Sequence, residues 1–154
     1  KCTWQVGDVY AYRLESEYSR EKGFYGKYII FQKVGETECW PGHIIPIVVV
    51  YRWIGAEIPR MEELRKLEFL NQIRPVSLMG RTQEECYHRE LVCESEKKIP
   101  VTQLILLGNQ KPREKTVLKK GRCNCMGWEK TKINWTIEKE TIDLYLAWQE
   151  HDNA

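Results

Sequence analysis

Residues Ile44–Tyr51, Ile-Ile-Pro-Ile-Val-Val-Val-Tyr, are the longest strongly apolar run of the chain, and they constrain the fold more than any other segment. A membrane-spanning helix needs about 20 apolar residues; this run is far shorter and Pro46 interrupts it. Branching at Cβ favours an extended backbone. The run, continued to Ile54, therefore reads as one long strand that Pro46 bends or places at a sheet edge.

Two further strands precede it. Gly7–Leu14 sets Val9, Ala11 and Arg13 against Tyr10, Tyr12 and Leu14, an alternation that follows a Gly-Asp turn. Gly26–Val34 repeats the pattern, and breaks at Gly35–Glu38 and Pro41-Gly42 separate it from the long apolar strand. Three strands joined by short turns predict an antiparallel meander that curls toward a small barrel. Glu15–Gly23, polar and closed by glycine, reads as a loop or a short helical turn.

Beyond Gly55 the pattern changes. Pro59–Leu67 places Met61, Leu64 and Leu67 on one face, with acids early and bases late, as a short amphipathic helix does. Ile73–Met79 reads as a strand interrupted by Pro75, Glu84–Val92 fits neither period, and Val101–Leu107 reads as a strand closed by a Gly108-Asn109 turn. Gln110–Gly127 reads as a surface excursion with one strand near Thr116–Leu118. The last element is a helix capped by Thr136, with Glu138 and Glu140 near its positive end. Ile137, Thr141, Leu144 or Tyr145, and Trp148 line its apolar face, widened by Ile142 and Leu146.

With 154 residues, 42% of them apolar, the chain has the material for one real core and is not a disordered polymer. The expected architecture is a single α+β domain over 1–154. It is a curled antiparallel sheet or small partial barrel, with a short middle helix and a C-terminal helix packed on it. No signal-peptide pattern opens the chain, and the six cysteines are too sparse for a small disulfide scaffold. They read as reduced thiols of a cytoplasmic protein, with Cys86–Cys93 the most plausible pair if any forms.

The net charge of +2 is unevenly distributed. Residues 1–109 are neutral, residues 110–132 carry +6 and residues 133–154 carry −4. The basic segment contains Arg113, Lys119, Lys120 and Arg122. Such a stretch neutralises the acidic segment that follows it, contacts an anion or nucleic acid, or meets a protein partner with an acidic surface.

No nucleophile elbow, phosphate loop or zinc-protease motif is present. Cys123-Asn-Cys125 and the Cys86/Cys93 spacing do not match zinc knuckles, so no metal and no cofactor is expected. His43, after a Pro-Gly turn, suits either a hydrogen-bonded strand edge or a general base. The chain holds six tryptophans. Trp40, Trp53 and Trp128 suit either the core or an aromatic anchor in an interface.

One segment has a counterpart in a known family. Trp4-x-x-Gly7-Asp8-Val9-Tyr10-Ala11-Tyr12-x-Leu14, followed by Gly26-Lys27-Tyr28, resembles the opening of the bacterial polymorphic-toxin immunity proteins grouped as the immunity protein 26 family. The resemblance covers residues 4–54. It implies a cytoplasmic, non-enzymatic protein that binds and neutralises a cognate protein toxin, and it brings no catalytic residues. On that reading, the partner-binding candidates are Trp40, Trp53 and Trp128 with the acidic residues Glu57, Glu62, Glu63, Glu84 and Glu85. The Gly-Asp-Val-aromatic opening also occurs in small RNA-cleaving barrels. The alternative is therefore a nucleic-acid-binding or RNA-cleaving protein that meets phosphate with His43, Arg113, Lys119, Lys120 and Arg122.

Overall fold

The computed structural model describes residues 3–70, 77–78, 81–82, 88–92, 98–116, 124–131 and 134–152. Strands β1 (Asp8–Arg13), β2 (Tyr28–Trp40) and β3 (His43–Gly55) form the expected meander, with antiparallel pairing throughout. Helix α1 (Glu17–Lys22) fills the first connection. Ser16 caps it by accepting from Ser19 N at 3.0 Å, and Gly23 ends it at φ +81°. Helix α2 (Met61–Leu64) follows β3 and is shorter than the Pro59–Leu67 pattern predicts.

A two-residue hairpin, β4 (Ser77–Leu78) and β5 (Arg81–Thr82), stands apart from the main sheet. The rest of the expected 73–79 strand lies outside the described residues. Strands β6 (His88–Val92), β7 (Leu104–Asn109) and β8 (Asn124–Gly127) complete the main sheet, and helix α3 (Ile137–Asp152) packs on it. A 3-10 turn at Glu114–Thr116 stands where a strand was expected to begin. Thr116 is fully buried there, inside a segment read as surface.

The main sheet runs β7-β1-β2-β3-β6-β8. Two expectations are corrected here. The sheet is mixed rather than wholly antiparallel, because β6 and β8 are parallel; it is not closed, as a curled sheet or partial barrel allows. The long apolar strand is also central, flanked by β2 and β6. Pro46 sits opposite Glu36, just outside the described β6 pairing, which starts at Ile47. The neighbouring ladder to β2 shifts register between Lys33 and Gly35.

The position of β3 explains its composition. A strand covered on both faces needs no polar alternation. Val48 and Val50 enter a core with Tyr12, Phe31, Trp128 and Ile142 beneath α3. Ile47, Val49 and Tyr51 enter a second core with Val9, Ile30, Leu64 and Phe69 beneath α2 and the segment after it. Truncating a buried aromatic in either layer costs about 3–5 kcal/mol.

Polar groups lock the layers together. Glu138 is fully buried in the first turn of α3. It accepts from Tyr12 Oη at 2.9 Å and from the backbone N–H groups of Glu15 and Ser16, both at 2.9 Å. Arg89 on β6 pairs with Glu140 at 2.6 Å. Lys33, buried on β2, donates to Trp4 O at 2.7 Å and to Glu36 at 2.9 Å. On the helical side, Tyr18 of α1 donates to Asp143 of α3.

Candidate interaction surface

The order of strands leaves β7 at one end of the main sheet, and among the described residues no strand pairs with its outer side. Its path is set at both ends. Before it, Gln103 N donates to Pro100 O at 2.9 Å, closing a turn where the sequence predicts strand. Gln103 Nε2 then caps Arg13 O at 2.7 Å. At the far end Gly108 continues the strand instead of turning. The ladder passes from Tyr10↔Leu106 to Val9↔Gly108, so Leu107 is the extra residue of a bulge.

Glycine is required at the point where β1 begins beside the end of β7. Gly7 has φ +98°, and a Cβ there would stand 2.6 Å from Gln110 O. Gln32 Nε2 joins the same knot, donating to Gly7 O at 3.2 Å and to Gln110 O at 2.8 Å. At Gly108 the thioether of Met61 fills the space of a side chain, so α2 leans on the inner end of β7.

The middle of β7 is apolar and uncovered. Among the described residues six large apolar side chains are exposed, and four of them are Val6, Val101, Ile105 and Leu106. Ile105 and Leu106 lie on β7 itself, 41% and 57% exposed. Val101 is in the turn before it, and Val6 O receives Asn109 Nδ2 at 3.0 Å. These four therefore lie along or at the ends of one edge strand, with Ile105 and Leu106 on its opposite faces, and exposed apolar groups at an unpaired edge make it the candidate interaction surface.

The direction of the backbone adds to this. Arg13 N donates to Gln103 O at 3.0 Å on the β7 side of β1, whereas Leu14 N donates to Lys27 O at 2.8 Å on the β2 side. In an antiparallel ladder, alternate residues send both backbone groups to the same side. Ala11 therefore faces β7 and meets Ile105, and Leu104 and Leu106 send their N–H and C=O outward.

The residues singled out from sequence are scattered relative to this strand. Trp128 is corrected outright: it is 0% exposed, stacked on Tyr12 with ring centroids 5.7 Å apart, and presents nothing to a partner. Trp53 is half-buried, with its ring against Gly55. Trp40 ends β2 opposite His43, which opens β3 half-buried. Glu57, Glu62 and Glu63 are exposed near α2, and Glu63 pairs with Arg60 at 3.2 Å. Glu84, Glu85, Lys119, Lys120 and Arg122 lie outside the described residues, as do Cys86 and Cys93.

Arg113 differs from its expected role. Its guanidinium donates to Leu64 O and Arg65 O, both at 3.1 Å, at the C-terminal end of α2. It also lies over the Phe69 ring at 4.5 Å. A guanidinium held by two carbonyls and an aromatic face is a clamp between segments.

Elsewhere the gap between Val50, Arg89, Met126, Glu140 and Leu144 holds about 10 Å³, no more than about one water. Among the described residues no three His, Cys, Asp or Glu side chains gather to hold a metal ion. Among the described residues no helix is long and apolar enough to cross a membrane. No family model matches the chain, and neither the curated proteins nor the solved structures contain a match.

Sequence reading missed this surface because exposure at β7 depends on its being an edge. The one local signal is that residues 99–110 carry no charged side chain. Edge strands are ordinarily protected by charge or proline.

Proposed function

We propose that this chain is an immunity-like protein, a non-enzymatic binding module that neutralises a cognate bacterial toxin by covering its working surface. The observation that supports the reading is the uncovered apolar edge at β7, where Val101, Ile105 and Leu106 flank outward-directed backbone groups. The motif spanning Trp4–Leu14 and Gly26–Tyr28 supplies the family expectation. The structural clamp formed by Arg113 weakens the RNA-binding alternative, since it engages the first of the basic residues assigned to phosphate.

The test is co-expression of this chain with the protein encoded beside its gene, in a heterologous bacterium. Under this proposal the neighbour alone arrests growth, this chain restores it, and the two co-purify in equal amounts. A neighbour whose toxicity is unaffected, or salt-sensitive binding and cleavage of labelled single-stranded RNA by this chain, overturns it.

A further inference from the structure

We infer that the second half of α3, residues 144–152, is a flap that detaches from the sheet and unwinds while the first half stays anchored. The anchors are unevenly placed along the helix. Glu138 holds Tyr12 and the N–H groups of Glu15 and Ser16, Glu140 pairs with Arg89, and Asp143 accepts from Tyr18 and Lys139. Beyond Asp143, among the described residues, no hydrogen bond or ion pair joins the helix to the rest of the molecule. Burial divides at the same place. Ile137, Glu138, Thr141 and Ile142 are buried, whereas Leu144, Tyr145, Leu146 and Trp148 are only partly so.

Two donors oppose closure of the second half. It lies over β3, where Arg52 Cζ stands 5.1 Å from the centre of the Trp148 ring. Arg52 Nε and Trp148 Nε1 are both shut off from solvent, and neither meets an acceptor among the described residues. A buried N–H without an acceptor has lost its bonds to water and gained nothing in return. Apolar contact holds the closed form. Tyr145 meets Phe24 edge to face, with ring centroids 6.0 Å apart, and Leu144 and Trp148 pack on the core. Opening hydrates both donors and gives up those contacts, so it requires less free energy than unfolding the chain.

Detachment and unwinding are one step, because a helix this short is marginal in water without packing. The break falls after Asp143, since Tyr18 and Lys139 both hold that carboxylate.

The experiment is amide hydrogen exchange on the full chain and on two variants, Arg52→Lys and Tyr145→Ala. Each helical N–H bonds to the carbonyl four residues earlier. Leu146, Ala147, Trp148 and Gln149 therefore report the flap, and Thr141, Ile142 and Asp143 report the anchored half. In the parent chain the four flap amides are expected to share one protection factor, about tenfold or more below that of Ile142. Arg52→Lys sets a methylene where Nε stands and keeps a cation beside the Trp148 ring. It is expected to raise protection of the flap about tenfold and leave the anchored half unchanged. Tyr145→Ala is expected to lower protection of the flap about tenfold, again without effect on the anchored half.

Protection that declines steadily from Leu146 to Gln149 is ordinary fraying of a helix end and overturns the inference. Equal protection in the two halves, or an equal loss from both in Tyr145→Ala, makes α3 a single unit and also overturns it. So does an Arg52→Lys chain whose flap is no better protected than the parent's, because the buried donor then does not oppose closure.

Discussion

Tyr12 and Glu138 meet across 126 residues of chain through a 2.9 Å hydrogen bond, and the carboxylate also holds the two backbone N–H groups that follow β1. One buried side chain thus fixes the position of α3, the end of β1 and the entry to α1. Glu138→Ala leaves all three donors without their acceptor in a buried site. The expected loss is about 3–5 kcal/mol, read as a lower urea midpoint at unchanged m-value. Glu138→Gln keeps an oxygen for the two N–H groups and should cost about 1–2 kcal/mol. Equal midpoints for Glu138→Ala and the parent chain would contradict this role.

The tyrosines give the molecule an alkaline limit. Burial, reinforced by the Glu138 charge, pushes the Tyr12 hydroxyl far above its ordinary value. The hydrogen bond to Asp143, followed by burial, pushes Tyr18 up to about 12. An unfolded tyrosine ionises near pH ~10. Above that value the unfolded chain releases protons that the folded chain retains. The stabilisation is therefore complete below pH ~10 and is lost as pH rises toward the folded value. Urea midpoints at rising pH should decline through this window, and Tyr18→Phe should decline less steeply. Parallel declines in the two chains would remove Tyr18 from the account.

Gly7 and Gly23 both have positive φ, yet they predict different costs. A Cβ at Gly23 meets nothing within 4 Å, so Gly23→Ala carries the left-handed backbone penalty alone, about 1–2 kcal/mol. A Cβ at Gly7 collides with Gln110 O as well, so Gly7→Ala should lose about 3 kcal/mol or more. Thermal midpoints of the two variants check the order. If Gly23→Ala is the more damaging, the β1–β7 knot is not a stabilising element.

Arg113 predicts a difference between two cations. Arg113→Lys keeps the charge but loses the fork that reaches both Leu64 O and Arg65 O. It should cost about 1 kcal/mol, and Arg113→Ala about 2 kcal/mol. The Arg113 charge also lowers Tyr51, which burial raises. The alanine variant should therefore shift ionisation of the buried Tyr51 to still higher pH, visible in a tyrosinate absorbance titration. A lysine variant as stable as the parent would mean that charge alone suffices.

The parts of the fold legible in sequence are those with local cause. Alternation at Val9–Leu14 gives β1, and Thr136 with the spacing of Ile137, Thr141 and Ile142 gives α3; Lys139 N does reach Thr136 Oγ1, at 3.3 Å. The rest depends on residues far away in the chain. Glu138 reads as a helix-dipole residue because nothing near it announces Tyr12. His88–Val92 has no clear period because β6 lies between an antiparallel neighbour and a parallel one. Gly108-Asn109 reads as a turn, but Met61 occupies the glycine's empty side and the strand runs on. The exposed apolar edge at β7 is least legible, since composition alone does not distinguish an apolar edge strand from an apolar core strand. Trp128 illustrates the opposite error, a tryptophan beside lysines whose ring is wholly internal.

The same long-range closure governs how the protein is made. The β1–β3 meander leaves the ribosome before any of residues 137–142 exists. At about 5–20 residues per second, the wait from Gly55 to Ile142 lasts roughly 4–17 s. Through that interval Tyr12, Phe31 and Val50 form an apolar face without its helix. Nascent chains arrested before α3 therefore expose this apolar face, which is closed only when Glu138 reaches Tyr12.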